Sequence, residues 1–171
     1  MCRDRSELLR RRLGRVNHEL HVRLKLSANR VRFGSATTRG GPAMANNVEI
    51  ARGGYEKFDS GDVPGVLAIM ADNVVWTEPS EMAYGGSHVG PQAVLDGVFM
   101  KLGDVYDEFA VTLEEIFPHG DHVVMLGRHS WKSKSTGLVA SVKCVHVFTF
   151  NNGKIATFDA YYDSAKALTL L

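Results

Sequence analysis

The chain is predicted to fold as an α+β domain, with helices packed on one face of a mainly antiparallel sheet. Three observations predict this. Apolar positions at helical spacing come first, stretches that alternate strictly between apolar and polar residues follow, and short turn sequences join those stretches. With 171 residues the chain is one domain's worth, ample for a real core.

The elements follow in order. Asn46 or Asn47 caps a first helix whose apolar positions Val48, Ala51, Tyr55 and Phe58 recur every three or four residues, and it ends near Ser60-Gly61. Asp62 caps a second, with Pro64 in its first turn and Val66, Leu67, Ile69 and Met70 facing inward. A first strand containing Val74, Trp76 and Glu78 on one face stops at Pro79. The Gly-rich segment Tyr84 to Gly90 reads as a loop, and Pro91 opens a third helix carrying Val94, Leu95, Val98, Phe99 and Leu102. Strands are then expected near 108–117, 122–133, 138–150 and 154–162, with turns at His119-Gly120-Asp121, Ser135-Thr136-Gly137 and Asn151-Asn152-Gly153. The Asn-Gly turn between two alternating strands is a strong hairpin signal.

Composition is that of an ordinary globular protein, 44% hydrophobic and 23% charged. No apolar run approaches the roughly 18 to 20 residues that cross a bilayer. Cys2 and Cys144 do not suggest a disulfide framework, and Cys144 reads as a small core residue. The net charge of +1 hides an asymmetry: residues 1–43 carry 11 basic and 3 acidic residues, or +8, and the remainder carries 9 and 16, or −7. Residues 1–43 are expected not to pack on the rest. Three readings of them stay open: a targeting presequence, a basic arm for nucleic acid or membrane, and a mis-assigned start ahead of Met44.

Alternation sorts core from exterior, because successive strand residues point to opposite faces. It places Glu78, His129, His146 and Tyr162 among inward apolar residues. Burying a carboxylate and two imidazoles costs several kcal/mol unless they find partners or line a wet cavity. Such a set marks a pocket. On the outer face Val124, Leu126, Val145 and Val147 point toward dimerisation through the sheet, or are scattered surface aliphatics.

Order, turns and residues together resemble the ketosteroid isomerase and SnoaL-like superfamily, also called nuclear-transport-factor-two-like. The landmarks are Phe58-Asp59-Ser60-Gly61-Asp62, Ala71 to Pro79, Gly86-Ser87-His88-Val89-Gly90 and Val145 to Ile155. The resemblance runs from about residue 47 to the carboxyl end and implies a strongly curved, mainly antiparallel sheet wrapped around amino-terminal helices, a cystatin-like α+β barrel with a conical cavity, over residues 44–171. It also implies that Glu78 stands where the steroid isomerases keep a proton-shuttling carboxylate, and His146 where they keep an oxyanion-binding acid. Their helix tyrosine corresponds to Gly54, with Tyr55 about 100° further around the helix. The inward aspartate expected of the polyketide cyclases on the last strand is Ala160 here, and the epoxide hydrolases' inward arginine is missing because alternation puts Arg128 outside.

Glu78, beside Trp76 in a partly dry cavity, is the candidate general base, since its neutral form is favoured there; the bland alternative is a strand-end carboxylate facing solvent. His146 is the candidate oxyanion donor, or else a core histidine. Trp76, His129, Tyr162, Tyr55, Phe99, Trp131, Phe158 and the loop residue His88 are candidates for contacting substrate, several of them as wall rather than chemistry. A metal set of Glu78, His129 and His146 lacks close ligand spacing, so no metal and no cofactor is expected. The expected function is a cytoplasmic, cofactor-independent isomerase or cyclase acting on a small apolar carbonyl compound by general acid-base catalysis. The alternative is a non-catalytic ligand-binding or dimeric interaction module. A homodimer is the expected assembly, with no nucleic-acid or membrane partner.

Overall fold

The computed structural model describes residues 42–170. The expectations for residues 1–41 lie outside them. Helix α1 (Pro42–Asp59) begins ahead of Asn46, with proline at a first helical position whose N–H would be unpaired in any case. Its Ala51 and Tyr55 are buried and Val48 and Phe58 pack against the core, as the spacing predicts. Helix α2 (Val63–Ala68) starts at Asp62, whose side chain accepts a hydrogen bond from the Gly65 N–H at 2.9 Å.

Strand β1 (Met70–Glu78) ends at Pro79 as expected. The segment read as a loop contains a strand, β2 (Gly86–Val89), paired with β1 from Val75↔Val89 to Glu78↔Gly86. Four residues, none of them buried, are too short to show a period. The third helix is composite: α3 (Pro91–Val94), a π-helical turn (Leu95–Phe99) and α4 (Met100–Val105). Val94, Leu95, Val98, Phe99 and Leu102 are all buried.

Strands β3 (Tyr106–His119), β4 (His122–Ser133), β5 (Val139–Asn151) and β6 (Lys154–Tyr162) form a meander, and α5 (Ser164–Leu168) closes the chain. The sheet order is β2-β1-β6-β5-β4-β3, antiparallel throughout except for the parallel pair β1–β6. At the β5–β6 turn Asn152 and Gly153 both have positive φ, 50° and 72°, as a two-residue hairpin matching strand twist requires. Register shifts in β1, β3 and β6 bend the ribbon, so the sheet curves over the helices without closing. One shift has a local consequence. Simple alternation would turn Ala156 inward, but the irregularity after Thr149↔Thr157 turns Ile155 inward instead.

Candidate active site

Burial along β4 alternates without a break from His122 to Ser133, which puts Met125, His129 and Trp131 on the concave side. On β5, opposite, the same period turns Val142, Cys144, His146 and Phe148 inward. Helix α1 crosses this face, and Tyr55 meets it: the hydroxyl lies 2.7 Å from His146 Nδ1. His146 Nε2 in turn lies 2.8 Å from His129 Nε2. Both imidazoles are 2% exposed, and His129 Nδ1 has no hydrogen-bond partner among the described residues. Burial holds both rings neutral, pulling His129 down to about 3 and His146 well below its ordinary value, the latter also through His129 beside it. Two neutral imidazoles carry one N–H each, so a single hydrogen sits between the facing Nε2 atoms.

Glu78 ends β1 on the same side, 6% exposed. The Trp76 indole N–H donates to its Oε1 at 3.0 Å, and the Tyr162 hydroxyl lies 3.4 Å from its Oε2. Burial pushes the Glu78 carboxyl up to about 7 despite these two bonds, which favour the anion. The group is therefore poised between its two protonation states near neutral pH.

These groups border a cavity of about 60 Å³, room for about four ordered waters. Its wall includes Tyr55, Trp76, Glu78, Phe99, His129, His146 and Phe158 from the sequence-derived set. Glu78 is the one carboxyl group in it among the described residues. Trp76 and Phe158 stack with ring centres 3.6 Å apart, so the acid stands beside a flat aromatic wall.

Three of the expected ligand contacts stand elsewhere. Trp131 lies behind His129, ring centres 5.3 Å apart, and its N–H donates to the Tyr84 hydroxyl at 3.2 Å. Tyr162 is held outside the cavity by Glu78 and by the Tyr84 hydroxyl, 3.0 Å away, and lines a second, more open pocket. His88 bonds the Tyr84 carbonyl through Nε2 at 3.1 Å, and its ring occupies the space beside Gly97, where a Cβ would lie 2.4 Å from Nδ1. Conversely Tyr84, Phe58 and Phe109 line the cavity without having been among the site candidates. Tyr84 sits in a glycine-rich stretch with no period to reveal where its ring points. Arg128 bonds Ser141 and stays out of the cavity wall.

The profile of the SnoaL-like domain family matches residues 51–158. This chain belongs to that family. An NTF2-like protein of unknown function from Burkholderia pseudomallei is 33% identical, with a TM-score of 0.69, covering 74% of this chain and 98% of its own. A second NTF2-like protein, from Burkholderia thailandensis, is 25% identical with a TM-score of 0.70, over 72% of this chain and 95% of its own. A protein of unknown function with a cystatin-like fold from Xanthomonas campestris shares the fold at 22% identity and a TM-score of 0.64, over 71% of this chain and 95% of its own. No curated protein matches. Among the described residues of this SnoaL-like chain no helix is long and apolar enough to cross a membrane.

Proposed function

We propose that this SnoaL-like domain binds a small apolar carbonyl compound in the cavity and moves a proton alpha to the carbonyl, with Glu78 as base. The observation that carries the reading is a lone buried carboxyl, raised to about 7, facing a largely apolar hollow together with Tyr55 and His146. The Glu78 carboxylate takes the proton from carbon, the electron pair moves onto the carbonyl oxygen, and Glu78 returns the proton at another carbon to isomerise the substrate. Both nitrogens of His146 are engaged, so His146 works through Tyr55. With the hydrogen of the His129–His146 contact on His129, His146 donates from Nδ1 to the Tyr55 oxygen. The Tyr55 O–H is then released toward the cavity to bond the developing oxyanion.

The test is a panel of small ketones and enones, read by conversion and by thermal-shift binding side by side. Glu78→Gln should keep binding and lose about two to four orders of magnitude in turnover, as loss of a general base does. Equal turnover in the variant removes the mechanism. The narrowness of the cavity supports a second reading, a binding module without turnover: about 60 Å³ is well under the roughly 300 Å³ at which drug-sized ligand pockets begin. Binding without conversion in the unaltered protein selects that reading. The assembly that fits either is a homodimer through the outer face of β4 and β5, where Val124 pairs with Val147 and Leu126 with Val145.

A further inference from the structure

On β4 and β5 one nitrogen each of His129 and His146 and the Cys144 Sγ all lie within 4.8 Å of one another. All three residues are buried. The cluster follows from the ladder: Cys144 and His146 are two apart on β5 and share a face, and Gly127 opposite Cys144 brings His129 two residues further along β4. The two imidazoles already face each other through Nε2 and share one hydrogen there, and moving that hydrogen to Nδ1 turns both facing nitrogens into lone-pair donors. We propose that His129, Cys144 and His146 form a binding site for a single Zn²⁺ ion, with the fourth position open to the cavity.

The donor chemistry selects the ion. One thiolate and two neutral imidazoles suit zinc and its spectroscopic substitute cobalt, and disfavour magnesium and calcium, which seek oxygen. Three protein ligands plus an open position is the pattern of zinc sites that bind a further small molecule. Bonds of about 2.0–2.1 Å at a tetrahedral angle place two nitrogens about 3.3 Å apart. The present 2.8 Å between the Nε2 atoms therefore has to widen by about half an ångström. Tyr55 on His146 Nδ1 is the outer partner that orients a ligating ring. Binding breaks the His–His hydrogen bond, forms two metal–nitrogen bonds and one metal–sulfur bond, and sends the thiol proton to solvent; each imidazole then carries its hydrogen on Nδ1. The thiolate leaves one positive charge, which the Glu78 carboxylate in the same cavity balances. Cys144, and not Glu78, is the third residue grouped with the two histidines.

Titration of the full chain with Co²⁺ tests the site without any substrate, so failure here leaves the proton-transfer reading untouched. The expected result is stoichiometric binding with a thiolate-to-cobalt charge-transfer band and tetrahedral d–d bands, both erased by Zn²⁺, and a Tm raised by Zn²⁺. Cys144→Ser should abolish the charge-transfer band and weaken binding by more than about tenfold, and His146→Gln should weaken it likewise. No charge-transfer band in the unaltered protein overturns the site, whatever the variants do. An equal band in Cys144→Ser, with folding checked by near-ultraviolet circular dichroism, overturns it too, since the sulfur would then come from another residue.

Discussion

Glu78 and the two imidazoles pull stability in opposite directions as pH changes. The folded chain holds the Glu78 proton up to about pH 7 against an ordinary 4.5, so over that interval the native state binds more protons and stability falls as pH rises. His129, at about 3 against 6.5, does the reverse: the unfolded chain binds more protons below 6.5, and stability falls as pH drops. His146 is shifted in the same direction. Between pH 4.5 and 6.5 two imidazoles oppose one carboxyl, and the unaltered protein should gain stability with pH. Glu78→Gln should steepen that gain by about 1.4 kcal/mol per pH unit. Urea unfolding across this range checks it, and an unchanged slope would mean that the carboxyl is not held in its protonated form. Tyr55→Phe should weaken binding of a ketone about tenfold, one hydrogen bond's worth, and leave binding of a hydrocarbon of the same shape unaltered; isothermal calorimetry on such a pair decides it. Alternation alone exposed Glu78, His129 and His146 to view. The Tyr55–His146 contact was not legible, because it joins a helix to a strand 91 positions away.

Among the elements, β4 and β5 were readable because unbroken alternation and tight turns leave one register. β2 was hidden by brevity, the inward turn of Ile155 by a register shift, and the π-helical turn by having no signature in residue type. Gly127 shows how close the ribbons run where β3 bends: a Cβ there would lie 2.2 Å from the Thr112 carbonyl oxygen. Gly127→Ala should destabilise the fold by about 2 kcal/mol, since backbone has to move. Gly53, within α1 and with nothing within 4 Å of its missing Cβ, makes the contrast. Gly53→Ala should stabilise by about 0.8 kcal/mol through helix propensity. Chemical denaturation of the pair reads both signs in one experiment, and a Gly127→Ala midpoint equal to that of the parent would deny the close approach.

For the whole molecule, the outer sheet face carries an apolar band. Phe117, Val124 and Val147 lie in one cross-strand row and Leu126, Val145 and Tyr161 in the next, with Tyr161 57% exposed. A second copy is the occupant we propose for it. Val145→Lys, half-buried on that face and away from the cavity wall, should shift the protein to monomer in light scattering behind size exclusion while leaving cavity ligands bound. A monomeric parent protein would dismiss the interface. The order of the helices and of every strand but β2 was legible from the chain, because each rests on local periodicity. The neighbour relation of β1 and β6 was not, because nothing local marks a parallel partner that arrives near the end of the chain.

That late partnership bears on how the protein is made. A ribosome releases Trp76 and Glu78 when the residues that will stack on them and bond them, Phe158 and Tyr162, have not yet been translated. Until they emerge, β1 has β2 along one edge and bare backbone along the other. The nascent polypeptide thus carries an open strand while residues 79–153 are made, a natural place for a chaperone to hold it, and the acid acquires its unusual proton affinity only once β6 has joined the sheet.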